Sequence, residues 1–134
     1  FPVVPLHRLN EKPTRRGVAF WIARPDGAVL LRRRPEQGLL GGMMEIPSTE
    51  WREGNSGDDP ARQAPVKARF RVLGGAVRHE FTHFKLELNV LLGCAGGETK
   101  APRGAVWCPV DRLGDHALPT VMKKIARHAL EALR

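Results

Sequence analysis

The 134-residue chain is 42% hydrophobic and 27% charged, a balance typical of a globular domain, and its apolar runs are too short to cross a bilayer. A chain of this length buries roughly two thirds of its unfolded surface, so it needs no disulfide or metal ion to fold. The excess of 22 Lys and Arg over 14 Asp and Glu gives a net charge of +8, which favours a polyanionic partner, although a basic surface also serves solubility.

The first 16 residues have the composition of a linker or arm. They contain three prolines and four basic side chains, and no hydrophobic period is sustained through them. The chain begins with Phe1 instead of Met, so we expect it to be a piece of a longer polypeptide. The folded domain is predicted to span residues 17–134.

A β-hairpin is the first predicted element of this domain. Apolar runs at 17–23 and 28–31 flank Arg24-Pro25-Asp26-Gly27, which contains the turn signal Pro-Asp-Gly. A glycine-rich loop is predicted at residues 36–42 and a short strand at 43–47. A long polar loop follows at 48–68, with one short helix at 59–63 within it.

A change of phase marks the stretch from Val77 to Leu92. Large apolar residues fall on odd positions before Thr82 and on even positions after His83. Because neighbouring side chains of a strand point to opposite faces, such a change cannot occur within an unbroken strand. We therefore predict two strands that meet at a tight turn or bulge with Thr82 and His83 at its tip. A corner of this kind either recognises a ligand or simply closes a hairpin.

The carboxy-terminal part adds one strand and two helical segments. Residues 105–108 predict the strand and 109–113 a single helical turn, and apolar residues recur at i, i+3 and i+4 from Leu118 to Leu133 as in an amphipathic helix. The two cysteines are predicted to be small buried thiols; a disulfide stays open as an alternative, and their spacing carries no metal signature. Together the elements predict an α+β domain with a mixed or antiparallel sheet.

Two motifs in a fixed order carry a family resemblance. They are Arg34-Pro35-x-x-Gly38-Leu39-Leu40-Gly41-Gly42-Met43-Met44-Glu45-Ile46-Pro47 and Val77-Arg78-His79-Glu80-Phe81-Thr82-His83-Phe84. With a terminal Ala-Leu-Pro-x-x-Met-Lys-Lys helix, this order resembles the carboxy-terminal domain of A/G-specific adenine DNA glycosylases, the MutY family. The resemblance covers residues 15–133. It implies a Nudix-like fold, which is a mixed β-sheet with packed helices that include a C-terminal amphipathic helix.

An active Nudix pyrophosphohydrolase is one alternative, and the sequence argues against it. Such an enzyme needs a helix bearing an Arg-Glu-x-x-Glu-Glu cluster, because several carboxylates must converge on divalent metals that activate water. No such cluster follows Pro47, and Gly54, Gly57 and Pro60 interrupt any helix there. We therefore predict no catalytic residue and no metal ligand in this chain. A hydrolase with a degenerate metal box and a basic interaction module remain the other interpretations.

The resemblance implies recognition of 8-oxoguanine opposite adenine in double-stranded DNA. The family's corner motif is Phe-Ser-His, whose serine contacts the oxidised guanine, and the matching residues here are Phe81, Thr82 and His83. Threonine keeps the hydroxyl but adds a methyl group that restricts χ1. A hydroxyl or backbone group at this place can distinguish the two bases, because oxidation replaces the N7 acceptor of guanine with an N–H donor.

Further candidate DNA contacts follow from charge and position. They are Arg78 and His79 beside the corner, the loop residues Gln37, Gly38 and Leu39, and the basic residues Arg34, Lys85, Lys123 and Lys124. For each basic side chain taken singly, a solvated surface position is the more frequent alternative. The three tryptophans are interpreted as packing residues rather than base-stacking platforms: Trp21, Trp51 and Trp107.

The resemblance also implies a context for the domain. In this family an upstream catalytic domain of the same chain excises the adenine and holds an iron–sulfur cluster. The present chain, with two cysteines, is expected to hold no cofactor. We expect a monomer in the bacterial cytoplasm, associated with the nucleoid and without membrane contact.

Overall fold

A computed structural model describes residues 12–54 and 59–134. Six strands form the framework: β1 (Thr14–Ala23), β2 (Ala28–Arg33), β3 (Met44–Glu45), β4 (Arg69–Glu80), β5 (Lys85–Cys94) and β6 (Ala105–Pro109). The helical elements within the described ranges are α1 (Thr120–Ala132) and two 3₁₀ helices (Pro60–Gln63 and Val110–Asp115). These elements match the predicted α+β class.

The six strands form one mixed sheet. Its order is β3-β2-β1-β5-β4, and β6 pairs with β2. β1 and β5 run parallel over ten residues, from Thr14 opposite Lys85 to Ala23 opposite Cys94, whereas the other pairs are antiparallel. The predicted β1–β2 hairpin is confirmed, and Gly27 closes its turn with a φ of 87° and an N–H donated to the Arg24 carbonyl.

The sheet separates two hydrophobic clusters because side chains alternate along β1. Ala19 and Trp21 face the main core, which also contains the buried residues of α1. Phe20 and Ile22 face the opposite side, where the segment after the first 3₁₀ helix covers them. A central strand buried on both faces explains the continuous apolar run that predicted it.

Helix α1 covers the main core with the face that its periodicity predicts. Val121, Met122, Ile125, Ala126 and Ala129 are buried, and the charged side chains lie on the other face. The helix packs chiefly against β4 and also touches β1 and β5. Within the described ranges, no helix has the length and hydropathy that a membrane crossing requires.

Two strand boundaries differ from the sequence predictions. β1 begins at Thr14, three residues before the predicted boundary at Gly17, because residues 14–16 pair with the start of β5. Of the rest of the predicted arm, residues 12 and 13 are described and residues 1–11 lie outside the described residues. The sequence predicts two strand-like segments, at residues 69–73 and 76–81, separated by Gly74-Gly75. The structure has one strand there, β4, with a register shift between Leu73 and Val77. Gly75 takes a φ of 83° in this bulge.

The two cysteines occupy different environments and are both free thiols. Cys108 is buried as predicted, but Cys94 is exposed, so the prediction of two buried thiols is wrong for that residue. Cys94 is the last residue of β5, and its position at a strand end leaves its side chain in solvent.

Close packing at Gly93 gives a test of the outer cluster. A Cβ at this position would lie 2.7 Å from Phe70 and 3.2 Å from Ile22, so Gly93→Ala must displace the Phe70 ring. We expect the free energy of unfolding in urea to fall by about 1–3 kcal/mol. Gly97→Ala is the control, because nothing lies within 4 Å of the Cβ it would add. Equal stability of the two variants would contradict the tight packing around Gly93.

Candidate nucleic-acid interface

The predicted corner is the connection between β4 and β5. Phe81–Phe84 links the strands, and the Phe81 N–H donates to the Phe84 carbonyl at 2.8 Å. Phe84 is buried and Phe81 half-buried, whereas Thr82 and His83 are exposed at the tip. The change of phase therefore marks a turn, as predicted, and the corner presents a hydroxyl and an imidazole on a base of two aromatic rings.

An aromatic cluster fixes the base of this corner. The Phe81 and Phe84 rings lie with centroids 4.8 Å apart, and His79 meets the Phe81 ring edge-on at 4.8 Å. Trp51 stacks beside Phe81 at 6.1 Å with an interplanar angle of 28°. Such pairs add about 0.5–1.5 kcal/mol each to the burial of their surface. The tip thus stands on packed side chains.

The start of the described chain is attached to the same corner. Lys12 Nζ donates to the Phe81 carbonyl at 3.1 Å and lies 3.2 Å from the Glu80 carboxylate. The Lys85 N–H donates to the Pro13 carbonyl at 2.9 Å. The Arg15 guanidinium lies 4.2 Å from the centroid of the Phe84 ring, as in a cation–π contact. These contacts add positive charge around Thr82 and His83.

A groove of about 460 Å³ adjoins the corner and brings several predicted site residues together. Its lining is Thr14, Arg78, His79, Glu80, Lys85, Leu86, Glu87 and Lys124. Lys124 reaches from α1 to donate to the Arg78 carbonyl at 3.1 Å. Both acidic residues of the lining are already paired, one with Lys12 and the other with Arg78. Because Arg78 is one of these partners, Lys85 and Lys124 are the lining cations without a carboxylate partner among the described residues, and their charge suits a phosphate.

His79 is held neutral where the groove meets the core. Its Nδ1 is buried and has no hydrogen-bond partner among the described residues. Burial first, and the positive charge of Lys124 second, lower the pKa of His79 from its ordinary value of 6.5. His79 therefore contributes an aromatic packing surface rather than a cationic phosphate contact near neutral pH.

Arg34, predicted as a DNA contact, is engaged inside the domain. Its Nη1 donates to Glu45 Oε1 at 2.9 Å and its Nε to the Leu39 carbonyl at 3.0 Å. Its guanidinium also lies 4.5 Å from the centroid of the Trp51 ring. Glu45, only 3% exposed, receives a second ion pair from Arg32 at 3.2 Å. These contacts favour a structural role for Arg34 over phosphate binding.

The other predicted contacts are distributed over two places. Gln37, Gly38 and Leu39 lie exposed on the loop that Arg34 secures, and Gly38 adopts a φ of 101°. Lys123 lies one residue from Lys124 on α1, so it faces a different groove beside the second 3₁₀ helix. The structure therefore groups Lys124 with the corner and separates Lys123 from it.

Sequence reasoning missed Lys12 and Arg15 as members of the corner, and it gave Trp51 no partner. The first two belong to the predicted arm, and their approach depends on the parallel pairing of β1 with β5. Trp51 was correctly interpreted as a packing residue, but it lies in a polar loop without a period that could indicate its partners. Only a non-local pairing prediction could have found these three residues.

The acidic residues in β3 and directly after it do not assemble a metal site in the described part of the chain. Glu45 is bound to two arginines, and Glu50 pairs with Arg52 at 2.6 Å. Across residues 12–54 and 59–134, no three His, Cys, Asp or Glu side chains group together as metal ligands would.

Comparison with known proteins identifies the family. A family model described as NUDIX domain matches residues 18–128. The chain belongs to this family. A solved structure has the same fold: the MutT protein from Methanosarcina mazei Go1 superposes with a TM-score of 0.69 and 21% identity, over 92% of this chain and 99% of that one. The predicted Nudix-like fold is thus confirmed.

Curated relatives within the family are adenine DNA glycosylases. The human protein is 32% identical over 90% of this chain, and the mouse protein is 34% identical over 74%. The chain spans 25% and 21% of their lengths, respectively. A crystal structure of the C-terminal domain of mouse MUTYH, in complex with human PCNA, superposes with a TM-score of 0.73 at 27% identity, over 89% of both chains. The predicted resemblance to the carboxy-terminal domain of these glycosylases is confirmed.

The buried carboxylate of Glu45 gives a test of the loop framework. Glu45→Gln removes the charge that two arginines share, and we expect the free energy of unfolding to fall by about 3 kcal/mol. Glu50→Gln is the matched control, because Glu50 and Arg52 form a pair with side chains 68% and 61% exposed. The control should lose less than about 1 kcal/mol in the same urea titration. A similar loss in both variants would refute the special role of burial at Glu45.

The lowered pKa of His79 predicts a loss of stability in mild acid. As the pH falls below about 6.5, the unfolded chain takes up a proton at His79 before the folded chain does. The contribution of neutral His79 to the free energy of unfolding is thus complete above about pH 6.5, and it declines as the pH falls towards the lower pKa of His79 in the folded state. We expect the unfolding free energy to change less between about pH 7.5 and about pH 5.5 in His79→Gln than in the unchanged protein.

Lys124→Gln should also reduce this pH dependence, because Lys124 is the second cause of the lowered pKa. Urea titrations of the three proteins at both pH values measure the effect. An unchanged difference in His79→Gln would show that His79 does not titrate differently on folding.

Proposed function

We propose that this domain reads 8-oxoguanine opposite adenine and is the non-catalytic carboxy-terminal domain of an adenine DNA glycosylase. One observation carries the proposal. In a domain similar to those of adenine DNA glycosylases, Thr82 and His83 are exposed at a turn that Phe81 and Phe84 anchor. An exposed hydroxyl on a packed base suits recognition, because little of it must reorganise on binding.

The chemistry of the lesion matches the groups at the tip. 8-Oxoguanine presents an N7–H donor where guanine presents an acceptor, so the hydroxyl oxygen would accept a hydrogen bond from the lesion, whereas with guanine the hydroxyl would have to rotate and donate its own hydrogen. A turn that holds the hydroxyl hydrogen away from the base would favour the lesion. The Thr82 side chain supplies such an oxygen, and its methyl group limits the rotamers available to it. His83 and the backbone of the turn offer further partners to the same base edge. Discrimination would come from this contact.

Affinity would come from the surrounding cations. Arg78, Lys85 and Lys124 share the groove beside the corner, and Lys12 and Arg15 approach from the start of the described chain. Lys12 and Arg78 already pair with acidic side chains. The remaining charge, on Arg15, Lys85 and Lys124, would strengthen binding to damaged and undamaged duplexes alike, because phosphates are present at any sequence. The two contributions are therefore separable by experiment.

The remainder of the parent protein would supply catalysis. We place adenine flipping and excision, and the iron–sulfur cluster, in an upstream domain of the same chain. The present domain would hold no cofactor and would clamp the opposite strand of the duplex. The complete protein would act as a monomer on 8-oxoguanine:adenine pairs in the bacterial cytoplasm.

Thr82 gives the decisive test in the glycosylase that contains this domain. Thr82→Ala removes the hydroxyl, and we expect the ratio of affinities for 8-oxoguanine:A over G:A duplexes to fall about tenfold, equivalent to about 1.4 kcal/mol. Thr82→Ser keeps the hydroxyl and should retain the ratio. Equilibrium titration of both duplexes at two salt concentrations measures the affinity ratio together with the salt slope, which is the change in the logarithm of the affinity with the logarithm of the salt concentration.

Lys85→Ala serves as the contrast in the same titrations. Loss of the Lys85 ammonium group should weaken binding to both duplexes equally and reduce the salt slope, because a phosphate contact does not depend on the base. Equal weakening of both duplexes by Thr82→Ala would reject Thr82 as the lesion reader.

A further inference from the structure

Trp51 lies on a segment that is fixed along β1. The Thr49 N–H donates to the Val18 carbonyl at 2.9 Å, and Arg16 and Arg52 exchange two backbone hydrogen bonds at 2.7 and 3.0 Å. Phe20 likewise donates to the Pro47 carbonyl at 2.7 Å. Although this segment follows β3 as a loop, its backbone is held nearly as a strand would be. The Trp51 indole therefore projects from a rigid support.

The indole is itself restrained on several sides. Its Nε1 donates to Ser48 Oγ at 3.1 Å, one face receives the Arg34 guanidinium, and the ring stacks beside Phe81. A Cβ added at Gly17 would lie 2.9 Å from Trp51 Cδ1, which shows how closely β1 approaches the ring. Trp51 is half-buried and packs against the main core.

These contacts connect two surface features that are far apart in sequence. Arg34 holds the Gln37–Leu39 loop through the Leu39 carbonyl, and it is in turn fixed by Glu45. Phe81 is the first residue of the corner that ends in Thr82 and His83. Trp51 contacts both Arg34 and Phe81, so its ring links the loop to the corner.

We propose that Trp51 is a positioning residue for lesion recognition: it fixes the Thr82 corner relative to the Gln37–Leu39 loop and so sets the preference for 8-oxoguanine. The inference rests on the proposed function. Trp51 need not touch DNA, since it acts through Phe81. Because a hydrogen bond weakens steeply when its angle or length departs from the optimum, a small shift of the corner reduces discrimination. The groove cations lie on β4, β5 and α1, so phosphate binding stays intact.

The chain offers a matched control in Trp107. It too is half-buried, it lies beneath an arginine, with Arg24 4.8 Å from its ring centroid, and its Nε1 also donates a hydrogen bond, to the Thr99 carbonyl at 2.9 Å. It packs on the opposite face of the sheet, in the second cluster. Trp51→Ala and Trp107→Ala therefore remove similar local interactions, but only the first adjoins the corner.

The experiment uses the glycosylase that contains this domain, with Thr82→Ala as reference. Binding to 8-oxoguanine:A and G:A duplexes is titrated at two salt concentrations for each variant. We expect Trp51→Ala to lower the affinity ratio about two- to tenfold, the range expected from loss of one aromatic pair, with an unchanged salt slope. Trp51→Phe should recover most of the ratio, and Trp107→Ala should leave it unchanged.

Each other outcome has a distinct meaning. A retained ratio in Trp51→Ala, with a reduced ratio in Thr82→Ala, overturns the positioning role and leaves the proposed function intact. A ratio that no variant changes, Thr82→Ala included, overturns the proposed function itself. Equal reductions in Trp51→Ala and Trp107→Ala overturn the inference, because general destabilisation then explains both.

Should Trp51→Ala fail to fold, Gly17→Ala decides the question. Its methyl group would lie 2.9 Å from Trp51 Cδ1, 3.1 Å from Thr49 Oγ1 and 3.2 Å from Leu88 Cδ2, so the indole is the neighbour that must move furthest, and its side chain is retained. A lowered ratio with an unchanged salt slope supports positioning by Trp51. An unchanged ratio in a folded Gly17→Ala protein overturns it.

Discussion

The parallel pairing of β1 with β5 is the constraint on which the arrangement of this domain depends. It sets Thr14 opposite Lys85 and thereby brings the beginnings of both strands to one end of the sheet. The β4–β5 corner must then lie beside Lys12 and Arg15. Parallel neighbouring strands cannot be joined by a tight turn, so no local connection holds β1 beside β5. Burial of Leu88 and Val90 in the core that α1 covers stabilises their pairing instead.

The β4–β5 corner combines a closely packed base with an exposed tip. The buried Glu45 carboxylate is neutralised by ion pairs with Arg32 and Arg34. The Trp51 ring then provides the aromatic contact with Phe81. Thr82 is left exposed above them. Glu45 follows the glycine-rich loop, and its carboxylate serves the structure through ion pairs with two arginines.

Local signals in the sequence were sufficient for the β1–β2 hairpin, the corner and α1, because turn residues, phase and helical period are all properties of short segments. They failed where pairing is non-local. Thr14 is polar, and it lies in a strand because its backbone pairs with that of Lys85. Trp51 contacts Phe81 because the segment that carries Trp51 pairs with β1. Arg34 looked like a surface cation for the same reason, since Glu45 and Trp51 reach it through the fold.

The bulge in β4 has a consequence for solubility. β4 ends the described sheet order, and at 12 residues it is long enough to pair with a strand of another molecule. The shift at Gly74 and Gly75, held by a 3.0 Å contact between His128 Nε2 and the Gly74 carbonyl, breaks this edge into two shorter ladders. With Arg69 and Arg71 exposed beside Val72, the edge combines an interruption with positive charge. A feature that first signalled a break between strands thereby protects the domain against edge-to-edge aggregation.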